Sequence, residues 1–354
     1  MMSSGTTYNR TAGIVLAAGH GTRMLPLSAA VPKPLLPVMG VPLFEIVVER
    51  LLRSGAARIH ANIFHLADRI ADFAHGRNWP LTFHHEPELL GTGGGIGNMA
   101  RDLAGYELIL LQNSDILSNI DFAPAISLHR ERGALMTMIV IPGGAAPGDG
   151  GTDTPGADAP AQPAGGGTAH VIARRPPASV RVDSAGAVTA IGAGRDDRPG
   201  DVALGYTGMA VLSPAALPYF PRSRRGGLVE TILAIIAREP GSVIAYDAAS
   251  RHDAVHWGEI GSCSGYLDIH ERILIEKTAF DPILAPPPLP LHVGEGSTID
   301  PGAEWRGFLA VGSGVRIERD VVLEDCVVLD GTTVAAGKRH RRAVLYAEGS
   351  IEAA

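Results

Sequence analysis

The chain has 354 residues, 45% of them hydrophobic, with a formal net charge of -7. That length accommodates one large domain and a smaller one with sizeable buried cores. The acidic balance excludes a dedicated nucleic-acid or anionic-membrane surface. The two cysteines, Cys263 and Cys326, are far apart and lack a metal spacing, which excludes a disulfide framework and a zinc site and suits a reducing cytoplasm. Residues 1–10 are polar and lack the apolar core of a signal peptide. No apolar run approaches the length of a membrane span. The longest, 228–237, is interrupted by Glu230 and reads as an amphipathic helix.

Taken in order, the first half alternates strand and helix signals. Residues 13–18 are a short apolar run ending in glycines, expected to be a buried strand. A helix is expected over 43–52, with Gly55 near its C-cap. Strand 58–64, helix 67–73 and strand 81–85 follow. A glycine-rich loop then leads to a helix over 97–103. Strand 108–111 stops near Asp115, and helix 122–132 and strand 134–141 complete this part. The order predicts an α/β fold, a Rossmann-like, mixed but mainly parallel sheet with helices on both faces. Such sheets bind ligands in the crevice at the carboxyl ends of their strands. The segment 143–167 is nearly all Gly, Ala, Pro, Asp and Thr and is expected to be a disordered insertion rather than a domain boundary. Strand signals resume at Val180, 187–191 and 206–212.

Beyond 280 the pattern changes. After the proline-rich stretch 286–290, apolar residues recur every six positions at Val293, Ile299, Trp305, Val311, Ile317, Leu323 and Leu329. That period predicts a short left-handed β-helix of hexapeptide repeats, roughly two or three coils. The expected domains are therefore 1–280 and 281–354. An exposed coil end on the tail invites self-association, so a homo-oligomer is among the expectations.

Four stretches carry chemistry. The first is Leu16-Ala17-Ala18-Gly19-His20-Gly21-Thr22-Arg23, followed by Pro32-Lys33-Pro34-Leu35. Its glycines let backbone N–H groups approach phosphate oxygens, and Arg23 and Lys33 add two cations. Attack on a nucleoside triphosphate spreads charge over non-bridging oxygens, which preorganised cations and amides stabilise. No Gly-Lys-Ser/Thr closes the loop and it is not G-x-G-x-x-G, so neither a P-loop ATPase nor a dinucleotide enzyme is indicated. The second stretch runs from Glu86 and Glu88 through Gly91-Thr92-Gly93-Gly94-Gly95; a carboxylate here accepts from a base N–H. The third is Asn113-Ser114-Asp115, where a carboxylate ending a strand suits Mg²⁺. The fourth is Trp257-Gly258-Glu259-Ile260-Gly261. The thirteen histidines show no metal spacing, and His84 and His85 read as structural or rim residues.

These motifs resemble the sugar-phosphate nucleotidyltransferase family, with a near match over 13–35 and a weaker one to about residue 270. The Thr-Gly-Gly-Gly-Ile string is similar to that of N-acetylmuramate 1-phosphate uridylyltransferases, and Leu-Gly-Thr to that of mannose 1-phosphate guanylyltransferases. The resemblance implies that Arg23 and Lys33 contact the triphosphate and promote catalysis, together with Asp115. It implies nucleotide contacts at Leu16, Ala17, Ala18, Gly19, Gly21, Thr22, Glu86, Gly91, Thr92 and Gly93. Asp115 would hold Mg²⁺ with Glu259, which stands where the family usually has Asp. Thr207 and Gly208, in a strand like the family's sugar pocket, would face the sugar, with Asn113 and Glu230. The family's Glu-Lys-Pro motif is absent, and Arg195 or Arg198 would substitute for its lysine. The implied activity is a cytoplasmic, Mg²⁺-dependent transfer of a nucleoside monophosphate from an NTP to a sugar 1-phosphate, with no nucleic-acid or membrane partner. The alternative is a non-catalytic subunit of the same fold that binds nucleotide sugars. Guanine and uracil both offer an N–H to Glu86, so the base stays open.

Overall fold

The computed structural model describes residues 10–143, 176, 178–192, 200–251 and 254–353. The expected insertion beyond Gly143, and Arg195 and Arg198, lie outside the described residues. The chain packs as two compact units. One comprises Leu90–Leu111 and Ile120–Trp257 with the chain up to Ala12; the other comprises Gly13–Leu89, Gln112–Asn119 and Gly258–Ala354.

The second unit takes the strand Thr11–Leu16 from Gly13 onward, and every residue of that strand is buried. Arg58–Ile63 and Leu81–His85 follow it in sheet order and pair in parallel, Ile59 opposite Leu81 and Ile63 opposite His85. The helix Leu43–Arg53 buries Leu43, Phe44, Ile46, Val47, Val48 and Leu51, the spacing of an apolar face on a 3.6-residue period. It ends at Ser54, one residue before Gly55, whose φ is 96°.

The first unit holds a mixed sheet. Val188–Ile191, Ala178–Val182, Val202–Leu212 and Leu108–Asn113 are neighbours in that order. Val202–Leu212 runs antiparallel to Met136–Pro142, which pairs in parallel with Val243–Asp247. Within this unit antiparallel pairing thus dominates around Ala178–Leu212, where the alternating strand–helix order of the first half lapses. The helix Phe122–Arg132 starts on Asp121, whose carboxylate accepts from the Ala123 N–H, and stops at Gly133 with φ 57°.

One expectation needs correction. The helix expected over 97–103 begins six residues earlier and runs Gly91–Leu103, so the glycine string is helical rather than a loop. Glycine is a poor helix former, and packing overrides that preference. A Cβ on Gly93 would lie 2.4 Å from the Gly227 carbonyl oxygen, one on Gly94 2.6 Å from that of Arg224, and one on Gly97 2.0 Å from that of Pro221. The Gly94 N–H donates to Gly226 and the Gly226 N–H to Leu90, so helix and loop 221–227 are joined through backbone.

The C-terminal strands stack in parallel columns. Leu291 pairs with Leu309, Leu309 with Cys326, and Val327 with Val344; Thr298 pairs with Arg316 and Arg316 with Thr333. Side chains tie successive layers. Asp325 and Asp330 accept from N–H groups 17 residues away, on Phe308 and Ser313, and Ser297 accepts from Val315, 18 residues away. Val311, Ile317 and Leu323 of the six-residue series point into the coil core. Leu329 does not. The register shifts between Arg306 and Leu309, so Val311 pairs with Val328, and Val328 takes the inner position.

Alternation along the strands Glu304–Val311, Val322–Val328 and Ala343–Tyr346 explains why the tail is apolar on two faces. Leu309, Val311, Cys326, Val328, Ala343 and Leu345 fill the coil. Phe308, Ala310, Val327, Val344 and Tyr346 point the other way and join a core with Met24, Leu27, Leu36, Tyr266 and Ile273. The tail therefore shares its packing with the glycine-rich segment's neighbours and with the helix Cys263–Leu274. Both cysteines are buried free thiols, and burial pushes each thiol up to about 11.

Candidate active site

The strand Thr11–Leu16 delivers the chain into the turn that holds Ala17 to Arg23. Gly21 has φ 65°, in the left-handed region, and caps the short 3-10 turn Thr22–Met24. Only glycine takes that conformation without strain. The turn is fixed from behind. The Ala17 N–H donates to Asn62 Oδ1 at 2.9 Å, and Asn62 Nδ2 donates to Glu86 Oε1 at 2.7 Å. Glu86 is buried. Glu86, expected to read a base, thus takes part in a buried chain that orients the loop's first amide. Asn62 escaped the sequence reading. Its signal was a polar position alternating with Ile59, Ala61 and Ile63 in the strand Arg58–Ile63.

Lys33 follows Pro32 in the 3-10 turn Lys33–Leu35. Its Nζ lies 2.5 Å from Asp115 Oδ2, and both side chains are largely withdrawn from solvent, at 12% and 21% exposure. Arg23 Nη2 lies 3.0 Å from Glu259 Oε1; that pair is more open, at 67% and 39%. The Ser114 N–H donates to the Leu16 carbonyl, and the Ile260 N–H donates to the Asp115 carbonyl at 2.9 Å. These bonds gather into one unit residues that are up to 236 positions apart. Gly261 leaves room for the open pair: a Cβ there would lie 2.6 Å from Arg23 Nη2 and 2.8 Å from Glu259 Oε1.

Asp115 and Glu259 supply hard oxygen donors, which suit Mg²⁺, and two carboxylates leave the remaining positions to water and phosphate. Asn113 Oδ1, two residues before Asp115 in the chain, is buried and accepts no hydrogen bond among the described residues. An unsatisfied buried oxygen fits a place that gains a polar ligand. The donor set therefore fits a divalent cation.

In the other unit, Gly91 has φ 73° and Thr92 is exposed, while Gly93 faces the Gly227 carbonyl. Thr207 is buried; its hydroxyl donates to the Ile139 carbonyl at 2.7 Å and its carbonyl accepts from Trp257 Nε1 at 2.9 Å. Its hydroxyl is engaged within the sheet, at the register shift between Tyr206 and Met209. Gly208, next to it, has φ 78°. Glu230 lines a cavity of about 350 Å³ with Tyr219, Arg224, Arg225 and Gly227. Neither arginine lies in one of the sequence motifs.

Two unpaired-looking motifs thus become two acid–base pairs beside an amide-rich turn, the equipment for handling phosphate charge, and residues 12–150 match the family described as "Nucleotidyl transferase". Over that stretch, less than half of the chain, it is similar to a nucleotidyl transferase domain. Among individual proteins it is similar to a mannose-1-phosphate guanylyltransferase of Mycobacterium tuberculosis, 26% identical over 328 residues, covering 92% of this chain and 81% of that enzyme. It is also similar to the N-acetylmuramate alpha-1-phosphate uridylyltransferase of Neisseria meningitidis, 39% identical over 116 residues; the match spans 32% of this chain and 50% of that enzyme. The fold matches the crystal structure of HddC from Yersinia pseudotuberculosis with a TM-score of 0.51 at 19% identity, over 73% of this chain and 97% of that one.

Proposed function

We propose that this protein makes a nucleoside diphosphate sugar from an NTP and a sugar 1-phosphate. The observation that carries the reading is the convergence of Lys33–Asp115 and Arg23–Glu259 beside the Gly21 turn. An oxygen of the sugar phosphate attacks the α-phosphorus; the bond from that phosphorus to the bridging oxygen breaks, and pyrophosphate leaves. The attacking phosphate is already anionic, so no general base is needed. Arg23 and Lys33 stabilise the charge that develops on the phosphoryl oxygens. Asp115 and Glu259 would hold a divalent ion, Mg²⁺ by its preference for oxygen, which would neutralise triphosphate charge. The amides of Ala18 to Thr22 cradle the phosphates, on a turn that the Ala17–Asn62 bond holds from behind. Gly91, Thr92 and Gly93 are proposed contacts of the base, and Asn113, Gly208 and Glu230 of the sugar. Arg224 and Arg225, which line the same cavity as Glu230, offer cationic chemistry of the kind an anionic sugar derivative needs.

In this reading residues 1–280 form the catalytic domain, and 281–354 a linker and a left-handed β-helix; the parallel columns with 17- and 18-residue ties support the latter. Buried free thiols, and the absence among the described residues of any helix long and apolar enough to cross a membrane, support a cytoplasmic location.

Pyrophosphate release measured with GTP or UTP, Mg²⁺, and mannose 1-phosphate or N-acetylmuramate 1-phosphate tests the activity. Release that requires both substrates and Mg²⁺ is expected. Binding of nucleotide sugar with no release under any pairing would select the non-catalytic alternative.

A further inference from the structure

Asp281 heads the segment that leads into the tail, and its carboxylate is only 1% exposed. Arg53 Nη2 contacts both of its oxygens, at 2.6 and 2.8 Å, and Arg50 Nη1 lies 3.6 Å from Oδ2. The Ile283 N–H adds a bond to Oδ1 at 3.1 Å. Arg50 and Arg53 stand one turn apart on the helix Leu43–Arg53, so both project from one face. Arg50 is itself buried, and its Nη1 also donates to the carbonyl of Ser118. Ser118 ends the strand Ile116–Ser118, which begins directly after Asp115 and pairs with the strand ending at Glu259.

The consequence is physical. A buried guanidinium is costly to leave without a charged partner. Asp281 is such a partner, and the fixed fork of Arg50 has this carboxylate on one side and the backbone of the Asp115 strand on the other. Phe280, adjacent to Asp281, is fully buried in the core that also contains Phe308, Val344 and Met24, which locks the carboxylate's own backbone.

We propose that Asp281 is a positioning residue for the metal-binding strand: acting through Arg50, it holds Ser118 and so fixes the direction of Asp115. This rests on the reading of Asp115 as a metal ligand. It makes the start of the tail part of the site's support and ties cation affinity to a residue that touches neither cation nor substrate. Partners that orient metal ligands typically influence affinity by 10–100-fold.

The test compares wild type, Asp281→Asn and Arg50→Lys with Arg342→Ala, which breaks the ion pairs to Asp268 and Glu271 in the same unit without touching Ser118. Mn²⁺ binding is followed by electron paramagnetic resonance, and amide exchange of the peptide covering 112–118 by mass spectrometry. Asp281→Asn is expected to weaken Mn²⁺ binding on the order of 10-fold and to speed exchange at 112–118. Arg342→Ala should do neither, even if it unfolds at lower urea. Arg50→Lys keeps the charge but loses the fork, and should reproduce the Asp281→Asn result if that variant does not fold. Wild-type exchange at 112–118 with wild-type Mn²⁺ affinity in Asp281→Asn and Arg50→Lys would overturn the proposal. Equal effects in Arg342→Ala would also overturn it, since stability alone would then account for them. If Asp115→Asn leaves Mn²⁺ binding unchanged, the metal reading is what fails, and the exchange data still judge the clamp.

Discussion

Arg23 and Lys33 carry the same charge into the same site, yet removing them should leave unequal traces on stability. Arg23 is 67% exposed and its partner Glu259 39%. An exposed pair of this kind contributes about 0–1 kcal/mol, so Arg23→Ala should leave the urea midpoint near that of wild type. Lys33 is 12% exposed and sits 2.5 Å from the similarly withdrawn Asp115. Lys33→Met leaves a half-buried carboxylate without that partner, which costs about 1–3 kcal/mol. On catalysis the two should agree. A preorganised group that stabilises transition-state charge is worth about 10²–10³-fold in kcat, and each variant should lose on that order in pyrophosphate release. Urea unfolding and a coupled pyrophosphate assay on the same preparations separate the two effects. An Arg23→Ala protein with wild-type turnover, or one destabilised as much as Lys33→Met, would refute the assignment of charge stabilisation to an open cation and of structural pairing to the closed one.

Further outcomes follow from the packing. Gly97→Ala places a Cβ 2.0 Å from the Pro221 carbonyl oxygen; overpacking of this kind costs about 1–3 kcal/mol, readable as a lower urea midpoint and faster proteolysis in loop 221–227. Asn62→Ala removes the donor to Glu86 and the acceptor for the Ala17 N–H; calorimetry should show weaker GTP or UTP binding with Mg²⁺ present, and stability should fall by about 1–3 kcal/mol. Phe308→Ala empties a fully buried position between the tail and the Met24–Leu36 region, at about 3–5 kcal/mol; unfolding followed by probes in both regions should show them loosening together. Burial pushes His129 down to about 4 from an ordinary 6.5. Between those values the unfolded chain binds a proton that the folded chain refuses, so stability should fall as pH drops from 6.5 towards 4. Replacing His129 by Gln should flatten that part of the urea-midpoint curve.

Part of this molecule was readable from residue order alone. A run of apolar residues into Gly19 and Gly21, with cations at Arg23 and Lys33 close by, marked a candidate phosphate cradle; that Lys33 pairs with Asp115 and Arg23 with Glu259 came only from the fold. The six-residue period announced stacked parallel strands, because a repeat in the chain is a repeat in space. What the linear order left open depends on contacts between distant segments. Helical glycines at 93, 94 and 97 are disfavoured locally and make sense only against the carbonyls of Pro221, Arg224 and Gly227. Thr207 resembled a ligand-facing residue until Ile139 and Trp257 engaged its hydroxyl and carbonyl. Glu86 became a buried support once Asn62 lay beside it. The second apolar face of the tail, and the link from Asp281 to Arg50 to Ser118, likewise have no local signature. Composition and period record what each residue can do; burial and pairing, which need the folded chain, decide which of those capacities remains free to act.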